Sequence, residues 1–193
     1  MNWKNTTDRY GSLSIAMHWL MLLLLVGVYA CINLRGLFPR GSDLREGLKT
    51  WHFMLGLTVF ALVILRLAIR WLGDAPRIQP QPALWQRRLS GLMHLALYVF
   101  MIAMPLLGWL TLSAAGKTVP FFGVQLPALV GADKALADSV KELHETIGTI
   151  GYYLIGLHAA AALFHHYVAR DNTLLRMLPR RSGPGREAPL SRS

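Results

Sequence analysis

Residues 143–168 read LHETIGTIGYYLIGLHAAAALFHHYV, an apolar run that nevertheless carries His144, His158, His165 and His166. At 1.5 Å rise per residue, about 20 residues cross the roughly 30 Å of hydrocarbon in a bilayer. The run is longer than that, so its hydrocarbon part is expected to end near Phe164 with the final turn at the interface. Further stretches pass the same test, approximately Leu13 to Asn33, Trp51 to Trp71 and Leu89 to Leu112. A bilayer offers no water to backbone N–H and C=O groups, so each stretch must be a helix, and Pro105 is expected only to kink the third. The predicted fold class is all-α, an integral membrane bundle of four transmembrane helices.

Composition agrees. Of the 193 residues, 53% are hydrophobic and 16% charged, against roughly 25% charged in an average soluble domain. The net charge is +10, but the basic residues lie between apolar runs and form no stripe with interleaved aromatics. That argues for membrane lipid and against nucleic acid as a partner. Cys31 is the single cysteine and sits inside an apolar run. Disulfides, a C-x-x-C-H attachment site and a thiolate metal cluster are therefore excluded, and any haem must be held by coordination and packing alone.

The first apolar segment is too long for the core of a signal peptide and ends without a small-x-small cleavage site, so it is expected to remain as an anchor. Thirteen Lys and Arg residues fall on one face: Lys4 and Arg9, the group from Arg66 to Arg88, and the group from Arg170 to Arg192. Seven fall on the other: Arg35, Arg40, Arg45, Lys49, Lys117, Lys134 and Lys141. The positive-inside rule then places both termini in the cytoplasm. Residues 1–181 read as a single transmembrane domain and 182–193 as a disordered, basic cytoplasmic tail rich in Gly and Pro. The connection Asp74 to Gln86, with its prolines, reads as a short stiff cytoplasmic loop. Ser113 to Glu142 reads as a longer external one in which Asp133 to Glu142 forms an amphipathic surface helix. No internal repeat suggests a transporter built from two halves.

All seven histidines, His18, His52, His94, His144, His158, His165 and His166, lie in or at the ends of the apolar segments. An ionisable group in a membrane is costly and is by default a functional candidate. One such histidine can simply hydrogen-bond a neighbouring helix; seven over four helices point to a shared chemistry. His144 and His158 are 14 residues apart, hence only about 40° apart around the helix and roughly 21 Å along it. One face thus offers two ligands at two depths. Counting inward from the segment ends pairs His52 with His144 at the external boundary and His18 with His158 near the cytoplasmic one. Two imidazoles from different helices at one depth can clasp a low-spin haem iron from both sides. Gly56 and Gly148 follow His52 and His144 by four residues, and Ala159 to Ala162 follow His158, leaving room for a flat macrocycle. His94, at a similar inner depth on the third helix, is an alternative to either inner ligand. His165 and His166 match no partner depth and read as interface residues or part of a second binding site.

Several segments resemble the bacterial di-haem cytochrome b561 family. They are S-I-A-M-H-W-L around His18, N-L-R-G-L-F-P-R after the first helix, H-F-M-L-G around His52, H-E-T-I-G around His144, and G-L-H-A-A-A-A-L-F-H-H-Y followed by D-N-T-L-L-R-M-L-P-R. The likeness runs from about Arg9 to Arg181. It implies two non-covalent b-type haems in a bacterial inner membrane, with His18, His52, His144 and His158 matching the ligands, and quinone as an electron partner. It also implies superoxide oxidase activity, with superoxide giving its electron at the external face and ubiquinone receiving electrons, and His165 matching a residue of the quinone site. The proline-rich loop departs from that pattern, carrying Gln79 and Gln81 where related sequences often have lysine. Gln81 is a quinone candidate because the loop adjoins His165.

Arg35, Arg40, Arg45 and Lys49, set against Asp43 and Glu46, form a positive patch expected beside the outer haem. Such a patch raises the encounter rate of a small anion; it also suits haem propionates or lipid headgroups. A reading from another class is an anchor subunit that passes electrons between quinone and a peripheral dehydrogenase or hydrogenase as redox partner, although the short loops offer little docking surface. A third is a small proton-coupled transporter using the histidines as a relay.

Overall fold

The computed structural model describes residues 3, 5–71, 73 and 75–179; the expected basic tail, 182–193, lies outside them. Helix α1 spans Ser12–Leu34 and runs into a 3-10 turn, Arg35–Leu37. Helices α2 (Asp43–Trp71), α3 (Leu84–Ala114) and α4 (Lys134–Tyr167) follow. Each of the four is long and apolar enough to cross a membrane. Large apolar side chains such as Leu23, Leu92, Leu95 and Leu157 are exposed on the bundle. In water that surface would cost roughly 25 cal/mol per Å²; against lipid tails it costs nothing.

The helices outrun their apolar stretches. Helix α2 starts at Asp43 instead of near Trp51, because Ser42 Oγ accepts from Arg45 N at 3.4 Å and Asp43 and Glu46 suit the positive helix start. Residues 133–142 form no separate surface helix. They are the beginning of α4, capped by Asp133, whose side chain accepts from Leu136 N at 3.1 Å. No breaker separates this polar entry from the apolar run, so one helix continues through both. Hydrophobicity marks the span, whereas capping marks the helix.

Between α3 and α4 lies a small antiparallel hairpin, β1 (Val119–Phe121) and β2 (Val124–Leu126), an addition to the all-α reading. Phe122 and Gly123 turn it with φ of 45° and 87°, as a two-residue hairpin loop requires. Val119 is buried with Leu57 of α2 and Leu112 of α3. The hairpin thereby closes that end of the bundle, called the hairpin end below.

At the opposite, proline-loop end, three segments interlock. Arg9 Nη2 donates to Leu175 O at 3.0 Å and Leu178 O at 2.8 Å, and Trp19 Nε1 donates to Met177 O at 2.8 Å. Arg77 N donates to Thr7 O at 2.9 Å. The guanidinium of Arg176 is buried, donates to Pro76 O, and lies 5.6 Å from the Tyr10 ring centre.

Helix α1 packs on α2, α3 on α4, and α2 on α3. Among the described residues, the backbones of α1 and α2 come close to that of α4 at few points or none. The middle of the bundle is filled by Met21, Val59, Val63, Phe100 and Met101. Gly151 is buried beside it, so close to Tyr29 Oη and the Phe100 ring that a Cβ there would overlap both.

Candidate functional site

Where α4 stands away from α1 and α2, histidines face each other across the gap. His52 of α2 and His144 of α4 have ring centres 6.2 Å apart. His18 of α1 and His158 of α4 are also 6.2 Å apart. A metal bound at about 2 Å per bond stands about 3 Å from each ring centre, so two trans imidazoles are separated by about 6 Å. Both pairs have that spacing, and both take one member from α4.

The hairpin-end pair adjoins a cavity of about 350 Å³ lined by Gly56, Gly108 and Gly148 as well as His52 and His144. Gly56 has open space where a Cβ would stand, and a Cβ on Gly108 would lie 3.4 Å from the His144 ring. His52 Nδ1 is 3.0 Å from Val28 O. As the carbonyl can only accept, Nδ1 carries the proton and Nε2 is left with a lone pair, the arrangement usual for a metal-bound histidine. His144 Nδ1 is buried without a well-formed hydrogen bond, with the Met104 carbonyl in reach. A cavity with glycines in its walls and two imidazoles 6.2 Å apart fits a haem.

At the proline-loop end, three histidines gather instead of two. His94 of α3 lies 5.6 Å from His158, ring centre to ring centre, slightly closer than His18. His94 Nδ1 is 2.7 Å from Ser90 O, which again leaves Nε2 free to bind a metal. His18 differs. Arg66 Nη1 donates to its Nδ1 at 3.1 Å, so Nδ1 accepts and the proton sits on Nε2. Spacing favours His18 as the partner of His158, while hydrogen bonding prepares His94. Arg66, Arg70 and Arg176 all lie within electrostatic reach of His94. This concentration of cations suits the carboxylates of a haem.

The model of the prokaryotic cytochrome b561 family matches residues 9–180. The chain belongs to that family. It is 41% identical to cytochrome b561 homolog 1 of Escherichia coli over 174 residues, covering 90% of this chain and 99% of that one. It is 38% identical to a probable superoxide oxidase, CybB, of Yersinia pestis over 175 residues, covering 91% and 98%. Cytochrome b561 homolog 2 of Escherichia coli is 30% identical over 187 residues, covering 94% and 97%. Membership of the cytochrome b561 family makes the chain a multi-pass membrane electron-transfer protein with b-type haem.

The other expected site residues separate on inspection. Of the basic residues near the hairpin end, Arg35 lines the cavity beside Asn33, Glu145 and Tyr152. Arg45 Nη1 is occupied with Arg35 O at 3.0 Å and Phe38 O at 2.9 Å, holding the turn after α1. Lys49 is paired with Glu46 at 2.6 Å. Arg40 is exposed in the connection to α2. At the other end, His165 Nδ1 lies 2.5 Å from Asp171 Oδ2. The proline-rich loop is drawn to the same corner because Gln79 N donates to Asn172 Oδ1 at 2.9 Å and Asn172 N to Gln79 O at 3.1 Å. Gln81, two residues on, is exposed on that loop. His166 stacks edge-on against Tyr167 at 4.7 Å and takes no part in the pair. Sequence reasoning missed Asp171, Arg66, Arg176 and the Tyr29–Tyr152 contact, whose ring centres are 4.2 Å apart. A helical period finds residues on one face, but Asp171 lies beyond the helix and reaches His165 only through a turn.

Proposed function

We propose that this cytochrome holds two haems b, the outer between His52 and His144 and the inner between His18 and His158. We propose further that it oxidises superoxide at the hairpin end and reduces ubiquinone at the proline-loop end, with both termini cytoplasmic. The observation that carries the reading is the pair of facing imidazoles at each of two depths, with the same 6.2 Å spacing. When bound, the haems supply one-electron redox centres at those depths.

The residues around them set what reaches each end. Among the described residues no acid is hydrogen-bonded to Arg35 at the cavity wall, in contrast to Lys49, and its charge supplies the attraction for a small anion such as superoxide. Near the other end, His165 and the loop carrying Gln81 form a polar corner where quinone oxygens find hydrogen-bond donors and water supplies protons. The balance is two superoxide ions giving one electron each, and one ubiquinone taking two electrons and two protons, to leave two molecules of oxygen and one ubiquinol. The name of the Yersinia relative lends this reading further support.

The test is to mix purified protein rapidly with a superoxide pulse in the presence of ubiquinone, and to follow superoxide decay and quinol together. One quinol per two superoxide ions, formed by the chain alone, is the expected result. Quinol formation that needs a co-purifying partner would make the chain an anchor subunit, and superoxide decay unaffected by the protein would remove the oxidase reading.

A further inference from the structure

Helix α4 ends at Tyr167 and the chain then doubles back beneath it. Val168 N and Ala169 N both donate to Phe164 O, at 2.9 and 3.1 Å, and Asp171 N donates to His165 O at 3.1 Å. Arg170 turns the chain with φ of 55°, a left-handed conformation that a residue with a Cβ adopts only at a cost. The outcome of this strained turn is to set the Asp171 carboxylate under the His165 ring, Oδ2 on Nδ1 at 2.5 Å. Oδ1 accepts from Thr173 N at 2.8 Å, so both oxygens are engaged.

Asp171 is 6% exposed. Burial would push its carboxyl upward, but the hydrogen bonds from Thr173 and His165 outweigh this and hold it below the ordinary carboxylate range. Asp171 is thus a carboxylate that accepts, and His165 Nδ1–H is the donor. An anion also sits at the wrong end of a helix here, since the C-terminal carbonyls carry partial negative charge. As a helix cap, Asp171 would be a poor choice. As the partner of a ring that must hold a proton, it is a good one.

Resting on the reading that quinone is reduced beside His165, we propose that Asp171 is a positioning residue for that step. It fixes the ring with Nδ1–H on its carboxylate, so that Nε2 is the nitrogen left for the quinone. With both nitrogens protonated, Nε2–H passes its proton to a quinone oxygen as the electrons arrive, forming one O–H bond. Water on that face returns a proton to Nε2 and supplies the second one for the quinol. The charged and titratable groups around the pair come from every segment packed there. They are Arg176, within electrostatic reach of Asp171, Tyr10 beneath Arg176, Arg9 and Arg77 on the interlocked segments, and Arg170 and His166 beside the pair in sequence.

The test uses the full haem-loaded chain with Asp171→Asn, Asp171→Glu, His165→Ala and the His165→Ala/Asp171→Asn double variant. Haem content and spectra confirm folding, and quinone turnover is measured. Asp171→Asn removes the carboxylate that holds the ring and cuts turnover about 10-fold, while Asp171→Glu keeps a carboxylate acceptor for Nδ1–H and recovers part of the loss. The double variant matches His165→Ala. An equal fractional loss from Asp171→Asn in both backgrounds, or no recovery in Asp171→Glu, reduces Asp171 to a structural turn residue. If Asp171→Asn does not retain haem, a haem-loaded Asp171→Glu whose turnover is as low as that of His165→Ala overturns the proposal. Full turnover in His165→Ala shows instead that quinone binds elsewhere and the reading beneath the proposal fails. Impaired turnover in His165→Ala beside normal turnover in Asp171→Asn sinks only the role of Asp171.

Discussion

The two ends of the bundle solve one problem differently. At the hairpin end a pair of histidines stands in a glycine-lined cavity of about 350 Å³, with His52 already held in a metal-binding tautomer by a backbone carbonyl. At the proline-loop end His18, His94 and His158 share a crowded corner in which Arg66 occupies the nitrogen of His18. The first end is a slot whose occupant follows from its walls. At the second, spacing and hydrogen bonding favour different partners for His158. Arg66 lies near the end of its span, and the guanidinium donors that it does not direct at His18 are suited to an anionic group there. A glycine-lined cavity suits the binding of a cofactor, and under the proposed function the polar, interlocked corner suits reaction with a quinone.

The largest expected effect is loss of a cofactor. His52→Ala or His144→Ala should reduce haem from two to one per chain by pyridine haemochrome, with the inner spectrum preserved, and His158→Ala should do the reverse. The contrast between the ends sharpens on His18 and His94. His18→Ala is expected to remove the inner haem and His94→Ala to keep it; the opposite pattern would show that the carbonyl-held histidine, not the one with matching spacing, is the ligand. A count of one haem or none in the unaltered protein would break the comparison altogether.

A steric change between the two sites comes next. Gly151→Ala places a Cβ against Tyr29 and Phe100, where helix α4 approaches its neighbours and Tyr29 Oη donates to Gly148 O at 2.7 Å. Overpacking of this kind costs about 1–3 kcal/mol, read as a lower melting temperature in detergent and as perturbation of both haem spectra. Gly56→Ala meets open space instead, so it should leave melting little changed and disturb the outer haem alone.

The smallest effect concerns charge at the hairpin end. Arg35→Gln should slow haem reduction by superoxide a few-fold at low salt, with the difference shrinking at about 0.15 M salt as the Debye length falls to about 8 Å. Lys49→Gln should change the rate less, because Glu46 already neutralises that side chain. Equal effects of the two substitutions would mean that the field of the whole face, not the residue at the cavity, draws the anion.

Much of this was legible in the chain. The apolar runs specify four spans because a bilayer leaves helices as the stable option, and the 14-residue spacing of His144 and His158 sets two depths because helical rise is fixed. Gly56 and Gly148 were readable beside their histidines for the same reason, and both line the cavity. Periodicity does not reach across loops or between helices. It left open whether His18 or His94 faces His158, and tertiary packing brings both there. It could not show that Arg45 and Lys49 are already engaged while Arg35 lines the cavity, since those contacts depend on how the turn after α1 folds onto α2. Nor could it pair His165 with Asp171, which meet only because a left-handed turn at Arg170 and the clasp of Asn172 on Gln79 return the chain beneath its own helix. The sequence determined the spans and the depths of their histidines, through rules local to one helix; which side chains meet was decided by the packing of one helix against another.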